Sequence, residues 1–186
     1  MYIKILVIIS IFSLSGCITK PTGEKYSGKP FEVDSESALL VIYLEDDKKG
    51  IFGKEYRFSW LVTAGKTELA TISNGTYFTY QLSSGVVELS AALLKGDVYF
   101  PTNTVGFLLD GIKAAQNQRN NKNIEFKPLH KMIVDKGEIY YLKWNVTYPR
   151  KIVWGGPNPI GSLEHVSADI GEVGVNGLSK ALASGK

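Results

Sequence analysis

The feature that most constrains the fold is a rhythm of short β-branched and aromatic runs separated by turn-forming residues. Runs spaced roughly 8–12 residues apart, with turn signals between them, are typical of antiparallel β-sandwiches and barrels. Asn74-Gly75 is the clearest turn, because both residue types tolerate positive φ. The predicted strands are 38–44, 56–62, 67–72, 76–82, 86–94, 130–134, 139–148, 150–154 and 163–166. We therefore expect a mostly β chain that forms an antiparallel β-sandwich.

Two observations predict where the core lies. The run 38–44 (ALLVIYL) is apolar throughout, which is typical of a strand buried on both faces. In the run 76–82, Tyr77 and Phe78 point to opposite sides of one strand, so a second layer or a partner must cover one of them. The aromatic residues assigned to packing are Tyr43, Trp60, Phe78, Tyr141 and Trp144.

The segment 95–128 interrupts the strand rhythm and is predicted to be an insertion carrying one short helix. Its apolar residues recur at helical spacing, although Gly106 and Gly111 disfavour a helix. A short helix with two glycines is not stable alone, so its apolar face must pack against another surface. It either packs over one end of the domain, or it contacts a partner protein or the membrane. The candidate partner contacts are Val105, Leu108, Leu109 and Ile112.

The last segment, 169–186, is predicted to be a tail or a short C-terminal helix. Its apolar residues have helical spacing, while its evenly spaced glycines weaken a helix. The apolar positions are Ile170, Val173, Leu178 and Leu182, and the glycines are Gly171, Gly174 and Gly177. The glycines follow no strong strand, so they are assigned no cofactor.

The first residues have the layout of a secretory signal peptide over 1–16. A positive charge at Lys4 precedes the apolar run Ile5–Leu14, which is well short of the roughly 20 residues that span a bilayer. The next residues, Leu14-Ser15-Gly16-Cys17, resemble the lipobox of bacterial lipoproteins. That resemblance implies cleavage between Gly16 and Cys17 and a diacylglycerol thioether on Cys17.

Anchoring would place the protein in the bacterial cell envelope, with the membrane as a partner through the lipid on Cys17. Cys17 is the only cysteine, so no intramolecular disulfide is possible. Ile18, rather than an aspartate, follows it, which favours the periplasmic face of the outer membrane in a cell with two membranes. Residues 17–36 contain several helix and strand breakers and are predicted to be a flexible tether with a reach of about 25 Å. The folded domain is expected over 37–168.

Several motifs resemble a family of small bacterial lipoproteins and exported proteins of unknown function with a PEGA-like β-sandwich domain. The matching segments are Leu39-Leu40-Val41-Ile42-Tyr43, Ile51-Phe52-Gly53, Gly65-Lys66, Ser73-Asn74-Gly75-Thr76-Tyr77-Phe78 and Gly137-Glu138-Ile139-Tyr140-Tyr141-Leu142. The family's usual Pro-Gly turn is Ser84-Gly85 here. The resemblance implies a small β-sandwich related to carbohydrate-surface folds, and it transfers no catalytic residue.

The sequence offers no metal or cofactor motif. His130 and His165 lack the paired spacing of metal ligands, and the acidic run Glu45-Asp46-Asp47 is followed directly by two lysines and lacks calcium-loop spacing. The net charge of +3, from 21 basic and 18 acidic residues of mixed order, gives no nucleic-acid footprint. We therefore expect neither a metal nor a cofactor nor a nucleic acid.

The function expected is a non-catalytic binding or scaffolding lipoprotein, with another envelope protein as a partner. Two alternatives stay open. One is an accessory lipoprotein of a secretion or conjugation apparatus. The other is an envelope hydrolase acting on the wall or on glycans, which needs two carboxylates in one cleft. The available carboxylates are Glu88, Glu125, Asp135 and Glu138.

Overall fold

The structure, a computed structural model, describes residues 23–46, 55–99, 125–147 and 159–181. Most of these residues lie in strands. The strands are β1 (Ala38–Leu44), β2 (Glu55–Ala64), β3 (Thr67–Ser73), β4 (Thr76–Leu82), β5 (Gly85–Tyr99), β6 (Lys127–Val134), β7 (Ile139–Thr147), β8 (Ile160–Val166) and β9 (Ser179–Lys180). A helix, α1, runs from Ala168 to Val175 between β8 and β9.

The strands form two sheets. The five-stranded sheet has the order β8-β7-β1-β4-β9, and the four-stranded sheet has the order β3-β2-β5-β6. The prediction of a mostly β sandwich is confirmed. Two described pairings are parallel, however, β1 with β7 and β4 with β9. They arise because the chain visits the other sheet, or passes through α1, before it returns, and parallel neighbours need such long crossovers.

The main core lies between the two sheets. Alternate residues of β1, including Leu40 and Ile42, are fully buried against it. The indole rings of Trp60 and Trp144, from opposite sheets, have centroids 5.3 Å apart. Gly161 on β8 packs against Trp144 so closely that a Cβ there would overlap the indole. These contacts confirm the packing roles predicted for the aromatic residues.

β1 is buried on both faces, as its apolar run predicts. The residues between those of the main core, Leu39, Val41 and Tyr43, point to the outer face of the five-stranded sheet. There they pack with Tyr77 of β4 and Tyr141 of β7. The opposite orientation of Tyr77 and Phe78 is confirmed, and the layer that covers Tyr77 comes from the same chain.

The first part of that layer corrects the prediction of a flexible tether through residue 36. Residues 23–36, here called the strap, lie against the five-stranded sheet. The amide of Tyr26 donates to the carbonyl of Leu178 (2.9 Å), and the amide of Lys180 donates to the carbonyl of Glu24 (2.8 Å). The strap is held because burying Tyr26 and Phe31 against the sheet removes apolar surface from water.

The second part of that layer is α1. The prediction of a C-terminal helix is confirmed, but the residues that the helix buries are not the apolar ones whose spacing predicted it. Gly171 and Val175 are buried, while Ile170 and Val173 are 56% and 77% exposed. The helix turns its glycines inward because a Cβ at Gly171 would overlap the ring of Tyr141. Gly174 lies in the same way against Tyr43. Gly171 and Gly174 thus leave the space that the rings of Tyr141 and Tyr43 occupy.

The insertion predicted over 95–128 is shorter than expected. β5 continues to Tyr99 and β6 begins at Lys127, so both ends of that range belong to strands. The β5 backbone pairs with β2 as far as Glu55 opposite Tyr99, which lengthens the predicted strand beyond residue 94. The short helix predicted inside the insertion and the predicted strand 150–154 lie outside the described residues.

Candidate functional site

The outer face of the five-stranded sheet, with the strap and α1 on top of it, is here called the covered face. Four aromatic rings meet there, from Tyr26, Phe31, Tyr77 and Tyr141. Tyr26 stacks on Phe31 with ring centroids 4.9 Å apart, and its edge meets Tyr77 at 5.8 Å. Phe31 lies 6.1 Å from Tyr77 and 6.2 Å from Tyr141. Phe31 therefore bridges two strands of the sheet, and these distances are typical of favourable aromatic pairs.

The tyrosines of this cluster hold their protons. Burial, followed by the charge of Glu172 and a hydrogen bond to it, raises the pKa of Tyr141 to about 12. Burial is also the main reason that the pKa values of Tyr26 and Tyr77 are raised, with Glu172 adding to the first and Glu24 to the second. The cluster is thus neutral at physiological pH.

Tyr43 lies under α1, and its phenol is neutral like those of the cluster. Its side chain is fully buried, and burial raises the pKa of its phenol. Its hydroxyl has no hydrogen-bond partner among the described residues. An ionised phenol in that position would be both desolvated and unpaired, so only the neutral form fits.

A shallow hollow of about 200 Å³ opens between the strap and α1. Its lining combines one ring, small strap residues and the exposed side of the helix: Tyr26, Gly28, Pro30, Glu172, Val173 and Asn176. Glu172 is the one carboxylate among these lining residues, and the hollow is open to solvent. A single exposed carboxylate beside neutral tyrosines offers hydrogen bonding, but it lacks the second carboxylate that glycoside hydrolysis needs.

The outer face of the four-stranded sheet is here called the open face. Val86 on β5 and Ile133 on β6 are cross-strand partners there, and they are 63% and 70% exposed. Next to them, Lys131 donates to Glu88 (2.6 Å), and this hydrogen bond lowers the pKa of the Glu88 carboxyl. An exposed ion pair of this kind contributes little to stability.

The side chains considered for catalysis or metal binding do not converge on the covered face. His165 is exposed on β8, with its ring 5.8 Å from that of Tyr140, and His130 is half-buried on β6. Glu45 is paired with Lys143 at 2.8 Å. The carboxylates of Glu125, Asp135 and Glu138 are all exposed. Within the described ranges, no group of three His, Cys, Asp or Glu side chains could hold a metal ion.

Several predicted sites lie outside the described residues. These are the cleavage and lipidation site, Gly16 and Cys17, the candidate partner contacts Val105, Leu108, Leu109 and Ile112, and Asp47 of the acidic run. The structure adds two residues that the sequence reasoning missed, Tyr26 and Phe31, and it shows that Ile170 and Val173 of α1 are exposed. Tyr26 and Phe31 are the two aromatic residues between positions 18 and 36, and that was the available signal.

In the part of the chain that the structure describes, no helix has the length and apolar character needed to cross a membrane. No family model, curated protein or solved structure matches this chain. The arguments for its function therefore come from its own residues.

Proposed function

We propose that this protein is a bacterial lipoprotein whose β-sandwich is anchored to an envelope membrane through Cys17 and acts there by binding or scaffolding, without catalysis. The observation that carries the proposal is the ordered pattern of Lys4, the apolar run Ile5–Leu14 and Leu14-Ser15-Gly16-Cys17. A charged start, a short apolar centre and small residues before a cysteine are what export and lipid transfer require. The residue after the cysteine, Ile18, favours the outer membrane in a cell that has one.

A lipid on Cys17 would hold the domain close to the membrane. Cys17 is six residue steps from Gly23, and the amide of Lys180 in β9 donates to the carbonyl of Glu24. Two or three acyl chains hold a protein stably on a membrane, since each buried CH₂ contributes about 0.8 kcal/mol. The acyl chains alone would then hold the sandwich at the membrane.

The anchor is tested by replacing Cys17 with serine. We expect the Cys17→Ser protein to be lost from membranes after a high-salt wash, whereas the matched control Thr19→Ser, which keeps the thiol, stays bound. A Cys17→Ser protein that still pellets with washed membranes would contradict the proposed anchor.

The binding or scaffolding role is tested by crosslinking in intact cells followed by capture of the full chain. We expect one or more envelope proteins to be recovered with the wild-type chain at a higher yield than with Cys17→Ser, because the anchor concentrates the domain at the membrane. Recovery of only the chain itself and lipid would count against a scaffolding role.

A further inference from the structure

We propose that Ile170 and Val173, here called the apolar pair, rest in the surface of the same lipid membrane that holds Cys17. This inference rests on the proposed lipid anchor and adds a definite orientation to it. The covered face would then point toward the bilayer, and the open face would point away from it.

The helix α1 leaves two of its large apolar residues in solvent. A helix that packs on a sheet normally buries its large apolar residues and exposes its polar ones. Here Gly171 and Val175 are buried, whereas Ile170 is 56% exposed and Val173 is 77% exposed. Ile170 and Val173 are three positions apart, so they lie side by side on one face of the helix. That face is largely exposed to solvent.

Few residues separate the folded domain from the proposed anchor. Gly23 is held against the backbone of Lys180, six residue steps from Cys17. Six residues span at most about 20 Å when fully extended. The exit point of the strap is therefore always close to the bilayer.

The apolar pair lies on the same face of the domain as that exit point. Val173 and Tyr26 line the same hollow, and the amide of Tyr26 donates to the carbonyl of Leu178, next to β9. The open face is on the far side of both sheets, which stack about 10 Å apart. Turning the open face to the membrane would place both sheets between the exit point and the bilayer, whereas the covered face carries the exit point itself.

The charges on the covered face do not favour anionic over zwitterionic lipids. Exposed charges of both signs occur on the three segments of the covered face: Lys25, Lys29 and Glu24 on the strap, Asp169 and Glu172 on α1, and Lys180 on β9. Contact through apolar side chains alone is enough when a lipid anchor already supplies most of the affinity. The suitable probe is accordingly a vesicle of zwitterionic phosphatidylcholine.

The experiment uses the full lipidated chain with one added thiol. Cys17 is the only cysteine, so a lipid on it leaves the parent protein without a free thiol. A fluorophore is attached in the Val173→Cys protein, and quenching by a nitroxide-labelled phosphatidylcholine is measured in the vesicles. Ile133→Cys is the matched control, because Ile133 is 70% exposed and lies on the open face.

We expect the label at 173 to be quenched several-fold more strongly than the label at 133. We also expect Ile170→Ser, added to Val173→Cys, to reduce that quenching, whereas Ile133→Ser in the same background should not. Ile170 is largely exposed, so its replacement should leave the fold intact, which circular dichroism checks.

The outcomes separate the two proposals. Equal, weak quenching at 173 and 133 in a chain that stays on the vesicles would overturn the orientation while the anchor stands. So would a photocrosslinker at 173 that captures a protein instead of lipid. A parent chain that accepts the thiol label, or that does not bind vesicles, would overturn the anchor itself and the orientation with it.

Discussion

The two outer faces of this sandwich differ in how the chain treats them. On the covered face, the strap and α1 bury Tyr77 and Tyr141 almost completely. On the open face, the cross-strand neighbours Val86 and Ile133 stay largely exposed beside the Glu88–Lys131 ion pair. The extra layer thus lies on the side where the N-terminal segment joins the domain. The strap is therefore part of the folded domain and not a free linker.

The strongest test of this comparison is Gly171→Ala. We expect this substitution to lower the free energy of unfolding by about 3 kcal/mol, because its Cβ would overlap the ring of Tyr141 and force α1 off the sheet. The sign of this change is informative, because in an isolated helix alanine is more stable than glycine by about 1 kcal/mol. Urea unfolding of the full chain in detergent measures the effect.

Val173→Ala is the matched control on the same helix, and it should change stability by less than about 0.5 kcal/mol. If Gly171→Ala stabilised the protein, α1 would not be packed on Tyr141 in solution.

Phe31→Ala tests the strap itself. Removing the ring that lies between Tyr77 and Tyr141 should cost about 2 kcal/mol, less than for a fully buried phenylalanine because Phe31 is partly exposed. Trypsin should also cleave faster after Lys25, since the strap would open more often.

The same substitution at Phe126, which is 41% exposed and outside the covered face, should cost only about 1 kcal/mol and leave the cleavage rate unchanged. Equal losses at the two positions would remove the distinction between the faces.

A third prediction concerns alkaline pH. The pKa of Tyr141 rises from 10.0 to about 12 on folding, so the folded state binds more protons than the unfolded state between these values. The stability that Tyr141 contributes is fully present below pH 10 and is lost as the pH rises through 12. Tyr26, Tyr43 and Tyr77 act in the same direction.

We therefore expect unfolding midpoints in urea to fall over this alkaline range, and to fall less steeply in Tyr141→Phe than in the wild type. Identical slopes would mean that the Tyr141 phenol titrates normally, as an uncovered tyrosine does.

The smallest effect is expected on the open face. Val86→Thr and Ile133→Thr should each change the free energy of unfolding by less than about 0.5 kcal/mol, because both side chains are already in water. Thermal unfolding of the two variants checks this. A loss as large as that of Phe31→Ala at either position would mean that the open face is covered as well.

Most strands could be predicted because their signals are local. The runs 38–44 and 76–82 coincide with β1 and β4, and Gly75 takes the positive φ of 74° that the Asn-Gly turn requires. Alternation within each strand then assigns its two faces. None of this depends on distant residues, and the mostly β prediction follows from it.

The covered face could not be predicted because its contacts are non-local. Tyr26 and Phe31 are separated by Gly28 and Pro30, so no periodicity marks the strap, and its burial depends on Tyr77 and Tyr141 far along the chain. The spacing of Ile170 and Val173 predicted a helix, but only the tyrosine rings beneath α1 decide that Gly171 faces inward.

We propose that Cys17 carries a lipid six residue steps from a strap that belongs to the folded domain. Mass spectrometry of the N-terminal peptide of the membrane-purified protein would detect this lipid. We expect a peptide that begins at Cys17 and carries the added mass of a diacylglycerol thioether. A peptide that begins at Met1, or one with an unmodified Cys17, would overturn the lipid anchor.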